Sequence, residues 1–347
     1  MKPIIGITMG DPAGIGPEII AKALTKPIVY EQCRPLVVGD KWALEDAIRF
    51  AGVKLNVCGI ESVAEASFTF GTIDVIDLKN LTMPRIPYGI IDAACGKAAG
   101  EYIEKAIALA MDKEIDAIVT APINKESFDL GGYGKKYRGH TEMLAALTNS
   151  EKAVMMLASG KLRVIHVTTH LAVRKMVDMI KKERVYNTII KAYEGCRLLG
   201  IESPRIGVCG LNPHAGEAGI MGYEEIEEII PAIKQAQAEG LHVEGPYPAD
   251  TVFPKGKSGS LDIIVAMYHD QGHIPVKLTG FNFDGVVWQS VSGVNITIGL
   301  PIIRVSVDHG TAFGKAGKGL ANDTSILDAI EYAVLIAKNK ATQNSQR

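Results

Sequence analysis

The chain has 347 residues, 47% of them hydrophobic and 22% charged, a length that favours two domains with apolar material for a core in each. Its formal net charge of −2 gives no basic field for nucleic acid, and no apolar run is long enough to span a bilayer. The five cysteines, Cys33, Cys58, Cys95, Cys196 and Cys209, form no Cys-x-x-Cys pair, which argues against a disulfide framework or thiolate zinc site and for a reducing cytoplasm.

The first apolar run, 3–8, is cut short by Asp11 and reads as a strand, not a signal peptide. Short Ile- and Val-rich strands follow at 35–38, 73–76, 116–120, 153–158, 163–168, 205–210, 261–267 and 301–306. Helical patterns lie between them at 17–25, 41–51, 97–112, 140–148, 181–199, 223–239 and 324–338. This alternation predicts an α/β fold with largely parallel sheet. Gly131, Gly132 and Gly134 mark a hinge or loop, and the glycine-bearing stretch 278–294 marks a second.

Three strands each deliver a histidine at their carboxyl end. The run 162–169 leads to His170, the run 205–210 leads to His214, and the run 262–268 leads to His269. Ligand sites of open α/β sheets collect at those ends, and three imidazoles with an open position make a catalytic metal site. Nitrogen ligands favour Zn, Co, Ni or Mn over Mg. Three unrelated histidines closing strand ends are the plainer alternative. His166 lies four residues before His170; on a continuous strand that separation is about 13 Å, too far for one ion, so His166 reads as a core histidine.

Other segments carry weaker signals. Residues 9–18, Met-Gly-Asp-Pro-Ala-Gly-Ile-Gly-Pro-Glu, follow the first strand and place Gly14 and Gly16 where a backbone approaches a ligand closely, without matching Gly-x-Gly-x-x-Gly. Asn124 and Lys125 close another strand and read equally as a helix start. His140 and Thr141 stand at a helix amino terminus suited to phosphate, or simply begin the helix. Asp270 beside His269 orients a ligand or acts as a base. Lys277, Asn295 and Arg304 are candidates for an anion pocket, and the Gly-rich stretch 308–322 before the last helix is a candidate nucleotide loop.

Together these motifs resemble the PdxA-type family, the 4-hydroxythreonine-4-phosphate dehydrogenases. The likeness is carried by Gly-Asp-Pro-Ala-Gly-Ile-Gly-Pro-Glu at 10–18, Thr-Ala-Pro-Ile-Asn-Lys at 120–125, Gly-His-Thr-Glu at 139–142 and Thr-Thr-His at 168–170. It continues through Asn-Pro-His-Ala-Gly-Glu at 212–217, Tyr-His-Asp-Gln-Gly at 268–272, Val-Asn-Ile-Thr at 294–297 and Asp-His-Gly-Thr-Ala at 308–312. The resemblance implies an isocitrate/isopropylmalate dehydrogenase-like fold of two α/β/α domains, with the active-site cleft between them. It implies one domain from 1–130 plus 300–347 and another from 131–299.

The resemblance further implies a cytoplasmic homodimer, with no nucleic-acid or membrane partner, whose metal ligands His170, His214 and His269 are shared across the interface. It assigns substrate binding to His140, Thr141, Lys277, Asn295 and Arg304, with Asp270 and Lys277 as catalytic candidates. Gly14, Gly16, His309, Gly310, Thr311, Gly317 and Asn322 are the cofactor candidates, for NAD or NADP. One divalent metal per site (Zn, Co, Mn or Mg) would supply Lewis acidity toward the substrate oxygens.

The reaction implied is oxidation and decarboxylation of 4-hydroxythreonine 4-phosphate, in vitamin B6 (pyridoxal phosphate) biosynthesis. Two departures point to a second substrate class. His273 is an extra histidine beside the metal loop and is similar to the branch acting on threonate or erythronate 4-phosphate, and 278–294 is longer than in the vitamin B6 enzymes. On that reading the products are dihydroxyacetone phosphate and carbon dioxide, in sugar-acid catabolism. A transferase of acyl or phosphate groups on a related fold is the alternative of another class.

Overall fold

The structure, a computed structural model, describes residues 1–82, 85–137, 139–150, 153–283, 285 and 288–345. It divides into two compact units, Met1–Ala153 with Gly299–Arg347, and Val154–Ile298.

The first unit runs β1 (Ile4–Thr8), α1 (Gly16–Ala23), α2 (Pro27–Gln32), β2 (Arg34–Gly39), α3 (Lys41–Ala51), β3 (Asn56–Ile60) and β4 (Thr72–Asp77). It continues through α4 (Ala93–Met111), β5 (Ala117–Thr120), α5 (Lys125–Leu130) and α6 (His140–Leu147). The second unit holds β6 (Val154–Ser159), β7 (Leu162–His166), α7 (Val173–Asp178), α8 (Lys182–Leu198), β8 (Ile206–Cys209), α9 (Ile230–Ala238) and β9 (Val243–Tyr247). It is completed by α10 (Ala249–Ser258), β10 (Ile263–Ala266), α11 (His269–Gly280), β11 (Phe281–Phe283), β12 (Trp288–Val291) and β13 (Val294–Ile298). The chain then returns to the first unit with β14 (Arg304–Val307) and α12 (Thr324–Ser345).

In the first unit the strands are all parallel, in the order β3-β4-β2-β1-β5-β14. Helix α4 packs on β1 and β2, and α12 on β5 and β14. Strands covered in this way read as unbroken apolar runs, and Ile5, Ile7, Leu36, Val37, Val38 and Val119 are fully buried. In the second unit the order is β13-β6-β7-β10-β8-β9, with β13, β6 and β7 antiparallel in turn and β7, β10, β8 and β9 parallel. Ala266 of β10 stands opposite His166 of β7, and Val265 opposite Val208 of β8, so the loops after these three strands emerge side by side. Among the described residues, no helix is long and apolar enough to cross a membrane.

The first unit extends to Ala153, past the expected break after residue 130. Its glycines explain why. A Cβ on Gly96 of α4 would meet the Ser127 carbonyl oxygen at 1.8 Å, and one on Gly131 would meet the Lys97 nitrogen at 2.3 Å. These glycines let α5 close on α4, so Gly131 serves helix packing here, and not a hinge between domains. The helices α10 and α11 are absent from the sequence expectation because Pro254 and Pro275 interrupt their patterns, together with Gly256 and Gly272. Within 278–294, β11 and β12 form an antiparallel ribbon; Asp284, Val286 and Val287 lie outside the described residues.

Candidate functional site

The loops after β7 and β10 are tied together through the backbone. The Thr168 amide and hydroxyl both donate to the Met267 carbonyl, at 3.1 and 2.8 Å. Gln271, buried on the first turn of α11, accepts from the Met267 amide at 2.6 Å and donates to the Gly210 carbonyl at 2.8 Å, which links this pair to the loop after β8. The histidines stand on this framework. His170 takes a left-handed φ of 51° just past β7. His269 is the first residue of α11, and the two rings are 5.7 Å apart.

Both line a cavity of about 260 Å³ with Thr168, Thr169, Tyr268 and Asp270. The His269 Nδ1 donates to the Asp270 carboxylate at 2.7 Å, which in a neutral ring leaves the lone pair on Nε2. That tautomer suits a metal ligand, and Asp270 is its orienting partner.

His214 stands on the neighbouring turn after β8, exposed and also left-handed, with φ 54°. Among the described residues, no group of three or more His, Cys, Asp or Glu side chains is arranged to hold a metal ion. Thus His170 and His269 are brought together on one cavity, while His214 occupies the adjacent loop.

Two more histidines join them. The His273 ring stacks on His269 at 3.6 Å, and its Nδ1 bonds the His269 carbonyl one helical turn back. His166 is buried, as a core strand residue should be, yet its ring lies 4.6 Å from His273. The strand stops at His166, so the extended spacing to His170 assumed from sequence does not apply. A Cβ on Gly272 would meet the His166 Nε2 at 2.3 Å, so glycine there makes room for the ring. Burial pushes His166 down to about 3 and His273 down to about 4, which keeps both neutral. Sequence spacing alone missed this stack; the Gly272-His273 pair was its only signal.

In the first unit, a cavity of about 240 Å³ is lined by Thr120, Lys125, His140, Arg304, His309 and Gly310, among others. Arg304 is 3% exposed and donates from Nη2 to the Thr120 hydroxyl at 2.8 Å. Burial lowers its guanidinium to about 10, still charged near neutral pH. The His140 Nε2 is sealed from solvent with no hydrogen-bond partner among the described residues, and burial with the Arg304 and Lys125 charges holds the ring well below its ordinary range. Thr141 lies on the first turn of α6 beside it. Two cations and a neutral imidazole give this cavity a lining suited to an anion. Asn124 accepts from the Ser127 amide at 2.8 Å and so acts as the cap of α5.

Lys277 and Asn295 belong to the second unit. Lys277 is exposed two turns along α11, its ammonium 5.4 Å from the Phe281 ring centroid, and Asn295 on β13 donates to the Met155 sulfur at 3.1 Å.

The cofactor candidates gather around 308–322. The His309 Nδ1 bonds the Gly310 carbonyl at 2.9 Å, and Asn322 accepts from the Thr324 amide at 2.9 Å at the start of α12. Gly317, with φ 71°, abuts the Tyr88 ring. The Lys22 ammonium donates to Glu18 and to the Gly319 and Ala321 carbonyls at 2.7–2.9 Å, which fastens this stretch to α1. Gly14 and Gly16, the other two cofactor candidates, are packed closely against the protein's own chain. A Cβ at Gly14 would meet Thr311 at 2.9 Å and one at Gly16 the Met9 carbonyl at 2.1 Å, so both are glycine to admit the protein's own chain. Gly14 thereby seats Thr311, whose carbonyl accepts from the Ile15 amide at 3.1 Å, and Gly16 packs the start of α1 on the end of β1.

Comparison with known proteins follows the same lines. Residues 31–333 match the profile of the family described as pyridoxal phosphate biosynthetic protein PdxA. The D-threonate 4-phosphate dehydrogenase of Cupriavidus necator is 51% identical over 340 residues, 98% of each chain. Crystal structures of 4-hydroxythreonine-4-phosphate dehydrogenases are also similar. The enzyme from Burkholderia phymatum is 48% identical with a TM-score of 0.81, over 97% of this chain and 98% of that one. The enzyme from Klebsiella pneumoniae is 43% identical with a TM-score of 0.84, over 97% and 100%. End-to-end similarity of this depth, over a site of this composition, means that the chain belongs to the PdxA family of oxidoreductases, dehydrogenases acting on CH–OH groups.

Proposed function

We propose that the protein oxidises and decarboxylates D-threonate 4-phosphate with NAD or NADP, using a divalent metal held by His170, His214 and His269. The observation that carries this reading is the cavity lined by His170 and His269, where Asp270 fixes the His269 tautomer with Nε2 free. The donor set of neutral imidazoles fits Zn, Co or Mn. Such an ion would supply Lewis acidity toward the substrate hydroxyl and the charge that develops as carbon dioxide leaves. A nicotinamide cofactor would take the hydride.

The chain's own residues bind and orient. Arg304, His140 and Thr141 hold the phosphate, with Lys277 and Asn295 as the further substrate contacts. Asp270 orients His269, and the 308–322 stretch, fastened by Lys22 and Glu18, receives the cofactor through His309, Gly310, Thr311, Gly317 and Asn322.

The same reading includes a cytoplasmic homodimer with shared metal ligands. Exposed apolar residues follow each of the three histidines: Leu171 and Val173, then Ile220, Met221 and Tyr223, then Ile274 and Leu278. Ile220 and Leu278 are 75% and 81% exposed, and a second copy would cover them.

Within the substrate class, the 51% identity to a D-threonate 4-phosphate dehydrogenase supports the sugar acid. The second reading, 4-hydroxythreonine 4-phosphate, is favoured by the names of the similar crystal structures. Reduction of NAD and of NADP by metal-loaded protein, with the two acids side by side, tests the choice. Higher kcat/KM with D-threonate 4-phosphate supports the proposal, preference for the amino acid moves it to the second reading, and no reduction with either overturns both.

A further inference from the structure

The turn that carries His214 is built against the normal handedness of the chain. His214, Ala215, Gly216, Glu217 and Ala218 all have φ between 43° and 78°, with ψ between −12° and 59°. Five successive residues therefore wind left-handed, and four of them are not glycine. Such a run is sterically disfavoured for every L-residue, so the surroundings must impose it.

Beside it, on the residues that lead into the turn, lies a buried carboxylate. Glu225 is 1% exposed at the start of a π-helical turn, Glu225–Ile229. Its Oε1 accepts from the Leu211 and Asn212 amides, both at 2.7 Å, and its Oε2 from the Asn212 side-chain amide at 2.8 Å. Glu224 accepts from the same Asn212 amide at 2.7 Å. The glycines of the loop fit around this knot. A Cβ on Gly216 would meet the Glu225 Oε2 at 2.6 Å, one on Gly210 would meet the Ala215 Cα at 2.7 Å, and one on Gly222 would meet the Asn212 Nδ2 at 2.5 Å. The chain is thus tied to the Glu225 carboxylate at Asn212, two residues ahead of His214.

We infer that Glu225, acting through Asn212, is a positioning residue that holds His214 in its left-handed, metal-binding orientation. The inference rests on the reading of His214 as a metal ligand. Without the carboxylate Asn212 loses its anchor, and relaxation of the strained run that follows would swing the imidazole away. A π-helical turn at this point fits the same account, because it aims two successive glutamates at one loop.

The test titrates Co²⁺ into metal-free, full-length protein and reads the visible absorption of the bound ion. Glu225→Gln should weaken Co²⁺ binding about 10- to 100-fold with the far-UV circular dichroism unchanged. A merely structural role would lower the melting temperature and leave the affinity of the folded protein as it was. Wild-type affinity in folded Glu225→Gln overturns the inference. Should that variant fail to fold, Asn212→Ala decides by the same criterion, with a loss of about 10-fold expected. His214→Ala separates the two levels. Wild-type Co²⁺ binding in His214→Ala would overturn the ligand reading itself, whereas loss there with retention in Glu225→Gln would overturn only the positioning role.

Discussion

The two candidate cavities meet different demands with different backbones. In the first unit, the anion cavity is assembled from relaxed parts: a capped helix at Asn124, the first turn of α6 at His140 and a strand residue, Arg304. In the second, His170 and His214 both sit at left-handed φ, the latter within a run of such residues. A left-handed L-residue costs roughly 1–2 kcal/mol, so the four at 214, 215, 217 and 218 store several kcal/mol. Three hydrogen bonds to the Glu225 carboxylate, each on the order of 1.5–3 kcal/mol, offset a strain of that size. On the proposed function the difference follows from the ligands. A phosphate needs positive charge and N–H groups and tolerates small shifts. A metal needs lone pairs that converge within tenths of an ångström, which leaves the backbone less choice.

Arg304→Met is the largest way to separate the two regions. It should raise KM for the phosphorylated acid about 100-fold, through loss of charge-assisted hydrogen bonds, and leave Co²⁺ affinity within twofold, roughly, of wild type. Steady-state kinetics beside a Co²⁺ titration checks this. An equal loss of metal binding would mean that the two cavities are not independent.

Asp11→Asn probes the supports of the first unit. Burial raises the Asp11 carboxyl from 3.8 to about 6. The folded protein therefore retains a proton that the unfolded chain releases between those values. The stabilisation this provides is complete below 3.8 and is lost as pH rises through 6. The neutral amide should remove that slope and gain on the order of 1–2 kcal/mol near neutral pH, with no gain at acid pH. Urea unfolding across the pH range would show an unchanged slope if Asp11 were solvated.

The smallest effect belongs to the strained turn. Ala218 is exposed with φ 55°, so Ala218→Gly should stabilise the metal-free protein by up to about 1 kcal/mol. A lower melting temperature in that variant would argue against strain at this position.

Much of this could be read from sequence, because periodicity and strand-end position are local signals. The strands at 4–8, 34–39 and 72–77 and the helix at 41–51 announce themselves through apolar runs and a closing glycine at 52. The placement of His170, His214 and His269 after three strands was legible for the same reason. What was hidden depends on contacts distant in sequence or on broken patterns. β13 was concealed because its Val294-Asn295-Ile296-Thr297-Ile298 alternation follows a glycine-bearing stretch, and α11 because Gly272 and Pro275 mimic a loop. Gly14 and Gly16 stood out as ligand-contacting glycines, and sequence could not show that a Cβ there would also meet Thr311 and the Met9 carbonyl. Glu225 carried no signal: among acidic neighbours it reads as one more solvated helix charge, and only its burial against Leu211 and Asn212 reveals its role.

The measurement that bears most directly on the account adds Co²⁺ stepwise to the metal-free protein, following the bound-ion absorption and NADH formation from D-threonate 4-phosphate in the same sample. The account predicts that both signals rise together to one ion per site and that both are lost in His214→Ala. Full turnover in the metal-free protein, or in His214→Ala, would contradict it.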